Sequence, residues 1–186
     1  MFVGRKKELD ALNSRYKSNR KEFGVLYGRR RIGKSSILNE FLKDKKGILF
    51  QAKQDNSYGN LKSFSYEVDH LLNLPDTFVF ASWQHAFKSI QEYAKNERFV
   101  LVIDEYPYIV SQDSSFSSVL QEFIDHASDN MMVILSGSDI GFLQKEIQNH
   151  ASPLYKRRTF EMEIKKMNFM DAKEFVKMED IESQAN

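Results

Sequence analysis

At 186 residues the chain is long enough to fill one hydrophobic core, and a hydrophobic fraction of 41% with fifteen Phe argues against disorder. A net charge of +1 offers no bulk electrostatic case for a DNA partner. Without cysteine there is no disulfide framework, thiolate zinc site or cysteine nucleophile. His70, His85, His126 and His150 are scattered without metal-ligand spacing. Met1 to Lys7 lacks the apolar run of a secretory signal, and no later stretch approaches a membrane span. The expectation is a cytoplasmic protein with no membrane partner.

Short apolar runs alternate with helix-period stretches along the chain. Phe23 to Tyr27 is the first strand, ending at Gly28. Ile37, Leu38, Phe41 and Leu42 then share one face of a helix that begins near Lys34. Gly47 to Ala52 reads as a second strand. Leu61, Phe64, Val68, Leu71 and Leu72 mark an amphipathic helix that stops before Pro75. Trp83, Phe87, Ile90 and Ala94 give another helical stripe. Phe99 to Ile103 is a continuous apolar run of the kind buried on both faces of a parallel sheet. A helix follows with Phe116, Val119, Leu120, Phe123 and Ile124 turned inward, and Met131 to Leu135 is a second fully apolar strand. Ile140, Leu143 and Ile147 mark a short helix. Phe160, Met162 and Ile164 alternate with Glu161 and Glu163, as in a half-exposed edge strand. This succession predicts an α/β fold, a three-layer α/β/α sandwich around a mainly parallel five-stranded sheet. Ligands in such folds sit at the carboxyl ends of the strands.

Gly28-Arg29-Arg30-Arg31-Ile32-Gly33-Lys34-Ser35, followed by Ser36, satisfies G-x-x-x-x-G-K-[ST], the phosphate loop of P-loop NTPases. A loop that wraps a phosphate turns successive backbone N–H groups inward, which needs dihedrals that Gly28 and Gly33 reach cheaply. The helix beginning after it aims the positive end of its dipole at the same anion. Lys34 can reach the β- and γ-phosphates of ATP, and the Ser35 hydroxyl can take a place on Mg²⁺. Arg29, Arg30 and Arg31 fill the variable positions, either as phosphate contacts or as a solvated basic tip.

Phe99 to Ile103 delivers Asp104 and Glu105 to the sheet's carboxyl edge, the Walker B form. Asp104 is the expected Mg²⁺ partner opposite Ser35, and Glu105 the carboxylate that polarises an attacking water. The next strand ends Leu135-Ser136-Gly137-Ser138. Ser136 or Ser138 can face a γ-phosphate or orient the water; alternatively the segment is a turn that uses Ser and Gly for backbone reasons.

These motifs, with Phe2 to Leu9, Tyr27 to Ser36, Ile103 to Ile109 and Ser152 to Arg158, make the chain resemble the ATPase family found mainly in archaea, within the AAA+/STAND branch of P-loop proteins. The resemblance implies that Phe2 and Val3 lie against adenine. It implies that Arg157 and Arg158 fall where the family carries an arginine near the last core strand, able to act on a γ-phosphate from a neighbouring subunit. Read without it, they are a solvated basic turn. Family members usually continue into a helical lid and a C-terminal domain, so residues 1–165 are the expected ATPase core and 166–186, with Asn168 to Val176, the start of a lid. The expected function is Mg²⁺-dependent hydrolysis of ATP to ADP and phosphate. The alternative is a nucleotide-gated interaction switch with little or no turnover, read by a protein partner or by self-association.

Overall fold

The computed structural model describes residues 4–72, 75 and 78–167. Phe2, Val3 and the helix expected from Asn168 onward lie outside them, as does nearly all of the segment assigned to a lid. The element order is α1 (Lys6–Tyr16), β1 (Glu22–Tyr27), α2 (Lys34–Leu42), β2 (Gly47–Gln51), α3 (Ser57–Leu72), α4 (Trp83–Tyr93), β3 (Phe99–Asp104), α5 (Pro107–Gln112), α6 (Phe116–His126), β4 (Met131–Gly137), α7 (Ile140–Gln148) and β5 (Phe160–Glu163). No helix among the described residues is long and apolar enough to cross a membrane.

The five strands form one sheet in the order β2-β3-β4-β1-β5, and every pairing is parallel. Position in that order explains composition. The inner strands β1, β3 and β4 are buried at every residue and contain the long apolar runs, with the polar residues Glu22, Asp104 and Ser136 at or near their ends. The edge strands β2 and β5 alternate between buried and more exposed residues.

Alternation of side chains across the pleat divides the core into two layers. Phe99, Leu101 and Ile103 face one way, with Met131, Val133 and Leu135, and are covered by α3, α4, α6 and α7. There Trp83, Phe87 and Phe116 meet at ring-centroid distances of 4.8 to 5.9 Å. Val100, Val102, Met132 and Ile134 face the other way, against Leu12 of α1 and Ile37, Leu38 and Phe41 of α2. The next residue of β3 on that second face is Asp104, which the pleat thus directs toward α2.

The amino-terminal rim of the sheet is stapled by Arg98. Its Nη1 donates to the Arg20 and Asp129 carbonyls at 2.7 and 2.5 Å, and its Nη2 to the Arg15 carbonyl at 3.2 Å. One guanidinium therefore ties the end of α1 to the approaches of β1 and β4. The carboxyl-terminal rim carries the motif residues.

Candidate functional site

The phosphate loop leaves β1 at Gly28 and enters α2 at Lys34. A Cβ on Gly28 would stand 2.3 Å from the Ile164 carbonyl oxygen, so close approach of the backbone after β5 requires glycine. Gly33 has space around it, but its φ of 89° is what a side chain would oppose. Arg31 also has positive φ, 62°. Lys34 is 6% exposed and its Nζ donates to the Gly28 and Arg29 carbonyls at 2.8 and 3.1 Å, folding the side chain back over its own loop. Burial pulls the ammonium pKa below the ordinary lysine value; Glu105 and Asp104 oppose that shift, and Arg30 adds to it.

Asp104 is 1% exposed. Its Oδ2 accepts from the Ser35 hydroxyl at 2.6 Å and its Oδ1 from the Glu105 amide at 3.0 Å. Glu105 leaves the strand with φ 52°, and its Oε2 accepts from the Ser138 amide and hydroxyl at 3.2 and 3.1 Å. The ends of β1, β3 and β4 thus bring together Lys34, Ser35, Asp104, Glu105 and Ser138.

The remaining candidates separate. Ser136 stands beside Asp104 on β4, is fully buried, and its hydroxyl has no hydrogen-bond partner among the described residues. Ser138 is partly exposed and open to the site. Of the three arginines, Arg29 lines a hollow with Gly28, Ile32, Ile140 and Ile164, to which Glu163, Lys165 and Lys166 also contribute. Arg30 and Arg31 line the polar cleft with Lys34, Ser35, Ser36 and Glu105. Arg157 and Arg158 lie just before β5, where Thr159 pairs with Phe23 at the amino-terminal rim. Five residues of strand, roughly 16 Å, separate Phe23 from Gly28. Arg157 is bidentate on Asp125 at 2.8 and 2.9 Å, and Arg158 bonds Glu161 at 2.6 Å. Neither therefore reaches the phosphate loop of its own subunit here.

Two tyrosines that the sequence reading left aside belong to this region. Tyr108, in α5, accepts from Arg30 Nη2 at 2.8 Å. Tyr106 is fully buried; its hydroxyl shares a 2.6 Å hydrogen bond with Ser117 and donates to Glu146 at 2.9 Å, joining the segment after Glu105 to α6 and α7. Both sit in Ile103-Asp-Glu-Tyr-Pro-Tyr-Ile109, so proximity to the acidic pair was the available signal.

Comparison with known proteins agrees with this architecture. The family described as an ATPase domain predominantly from Archaea matches residues 2–186. An uncharacterised protein of Methanocaldococcus jannaschii is 29% identical over 177 residues, covering 94% of this chain and 38% of that protein. An uncharacterised ATP-binding protein of the same archaeon is 46% identical over 46 residues, 25% of this chain and 78% of that protein. Among solved structures, a Walker-type ATPase of Pyrococcus abyssi matches with a TM-score of 0.79 at 21% identity, over 98% of this chain and 59% of that one. The ORC1 protein of Aeropyrum pernix, solved in complex with DNA, matches with a TM-score of 0.72 at 13% identity, over 98% of this chain and 50% of that one. The chain thus spans 38% of its longer curated relative and 59% of the archaeal ATPase structure. Those structures share its fold, the α/β P-loop fold of AAA+ proteins, and with the family match running from residue 2 to residue 186, the chain belongs to the ATPase domain family found predominantly in Archaea.

Proposed function

We propose that this domain binds Mg²⁺ and ATP at its phosphate loop and hydrolyses ATP to ADP and phosphate. The observation that carries the reading is the convergence of Lys34, Ser35, Asp104 and Glu105 at the carboxyl ends of β1 and β3. Lys34 and the free amides of the first turn of α2 hold the phosphates. Release of Lys34 from the Gly28 and Arg29 carbonyls accompanies their arrival. The hollow lined by Gly28, Ile32, Ile140 and Ile164, with Glu163, Lys165 and Lys166 also at its wall, offers apolar surface for the adenine ring.

The donor set fits magnesium. Ser35 and Asp104 already touch, and no cluster of three or more His, Cys, Asp or Glu exists among the described residues. One hydroxyl and one carboxylate are what a cation takes from the protein when phosphate oxygens and water complete its shell. When bound, Mg²⁺ supplies positive charge against the oxygens of the transferring phosphoryl group. Glu105 orients a water for in-line attack on the γ-phosphorus and takes its proton as the bond to the β-phosphate oxygen breaks. Lys34 offsets the charge that develops. Ser138, in contact with Glu105, is the better placed of the two serines to orient that water. Arg157 and Arg158, at the opposite rim, serve a phosphate only across a subunit boundary.

The test is multiple-turnover phosphate release from wild type and Glu105→Gln. Loss of turnover by about 10² or more with nucleotide affinity retained is the expected result. Equal rates remove Glu105 from the role of base.

A second reading, a nucleotide-gated switch with little turnover, is favoured by one observation. Both Ser138 donors converge on a single oxygen of Glu105, and hydrogen bonds to the charged form of a carboxylate lower its basicity. A wild-type domain that binds nucleotide but releases no phosphate supports the switch.

A further inference from the structure

The phosphate loop presents three consecutive arginines, and among the described residues Arg30 is the one whose side chain is hydrogen-bonded to other segments. Arg30 and Arg31 both line the cleft that holds Lys34 and Glu105, but Arg30 is also bound to two other segments. Its Nη2 donates to the Tyr108 hydroxyl at 2.8 Å and its Nε approaches the Ser138 hydroxyl at 3.4 Å. Its charge also lies near enough to Lys34 to help lower that ammonium's pKa.

We propose that Arg30 is the residue by which this site distinguishes a nucleoside triphosphate from a diphosphate, and that Tyr108 and Ser138 park it until a third phosphate draws it away. The proposal deepens the nucleotide-site reading and rests on it. Both parking partners are neutral hydroxyls, and the Ser138 contact is long. A phosphate offers a guanidinium two charge-assisted hydrogen bonds in one plane, which are shorter and about twice as strong. The terminal phosphate therefore outcompetes the parking site, at the cost of breaking the Tyr108 and Ser138 contacts.

Parking also reaches the carboxylate. A hydroxyl has one hydrogen. When Ser138 Oγ accepts from Arg30 it is oriented to donate, and its donation goes to Glu105 Oε2. Removal of Arg30 frees that hydroxyl to turn. The number of phosphates present is thereby communicated to Glu105 through one serine. Arg30 is a specificity residue in this scheme, and Tyr108 a positioning residue that acts only through it.

The experiment compares dissociation constants for ADP and for a non-hydrolysable ATP analogue, both with Mg²⁺, by titration calorimetry. Turnover is not required, so the result stands whether or not the domain hydrolyses ATP. Tyr108→Phe removes the parking hydroxyl and little else. It is expected to raise the preference for the triphosphate analogue over ADP by roughly three- to tenfold. Arg30→Ala is expected to lower that preference by about tenfold, and Arg30→Lys to fall between it and wild type. In Arg30→Ala, adding Tyr108→Phe is expected to change nothing further. Opposite signs for Tyr108→Phe and Arg30→Ala are something loosened packing would not produce. Equal loss of both nucleotides in Arg30→Ala, or an unchanged or reduced triphosphate preference in Tyr108→Phe, overturns the proposal. A folded wild type that binds neither nucleotide overturns the site reading itself, and this inference with it.

Discussion

The Ser35 hydroxyl and the Asp104 carboxylate, 69 positions apart, meet at 2.6 Å between the first turn of α2 and the end of β3. The pleat of β3 turns Asp104 toward α2, and the Gly33 turn starts that helix where its first hydroxyl reaches the carboxylate. Under the proposed function this contact brings together the two side chains that would ligate Mg²⁺. Ser35→Ala is expected to raise the Mg²⁺ concentration needed for half-maximal ATP binding by on the order of tenfold, with metal-free ADP binding unchanged in chelator. Titrating Mg²⁺ against a fluorescent nucleotide measures both. Identical Mg²⁺ curves for wild type and variant would take Ser35 out of the metal's shell.

Lys34 predicts a pH dependence. Burial lowers its pKa in the free domain, whereas an anionic phosphate beside it favours the protonated form. The bound pKa is therefore the higher of the two, and binding takes up a proton once pH exceeds the free-state value. Affinity should fall with rising pH, starting below the ordinary lysine titration range and limited to about tenfold per pH unit. Lys34→Met should bind more weakly and lack this alkaline decline. A parallel decline in the variant assigns it to another group.

Arg157 and Asp125 are bidentate but at the surface, with side chains 29% and 40% exposed. The Arg157 hydrogen bond holds the Asp125 carboxyl below its usual pKa, so the pair stabilises the fold above the unfolded carboxyl pKa and its contribution is lost as pH falls through the folded value. Solvent screening keeps it small. Asp125→Ala is expected to cost less than about 1 kcal/mol at neutral pH and to melt like wild type once pH lies below the lowered folded carboxyl pKa, both readable by thermal denaturation. Arg157 is also held by Nη1 donation to the Pro153 carbonyl at 2.7 Å, and a large loss at neutral pH would argue that its role is structural.

Tyr106 has a different kind of bond. Burial first, and the Glu146 charge next, push its pKa well above the usual tyrosine value, so the hydroxyl stays neutral and donates. Tyr106→Phe leaves the buried Ser117 without that partner and is expected to cost roughly 1–3 kcal/mol in urea unfolding. A neutral substitution would mean that Ser117 and Glu146, 3.0 Å apart, suffice for each other.

What could be read from the chain was what repeats locally. The strand runs at Phe23, Phe99 and Met131 were legible because burial on both faces leaves no polar position, and the helical stripes because they recur over several turns. The loop from Gly28 to Ser35 was legible because phosphate binding fixes both spacing and residue type. Helix α5 escaped: it is six residues long and opens on Pro107, too short to show a period. The pairing of Arg157 with Asp125 and the Tyr106–Ser117–Glu146 network escaped for another reason. They join separate elements, and the strand order that brings those elements together is not written in any local pattern. For the same cause the two candidate serines could not be ranked: Ser136 lies within β4 and is buried, while Ser138, the first residue past the end of that strand, emerges at the rim.

Glu105 is held with φ 52°, a left-handed conformation that opposes its Cβ and costs about 1–2 kcal/mol relative to a relaxed backbone. Glycine at this position would relieve that strain and remove the carboxylate in the same step. The domain therefore carries, at the end of β3, a residue that folding alone would not select. Drift toward greater thermal stability at position 105 runs directly against retention of the acid, and a variant library ranked only by melting temperature would discard the residue on which the proposed chemistry turns.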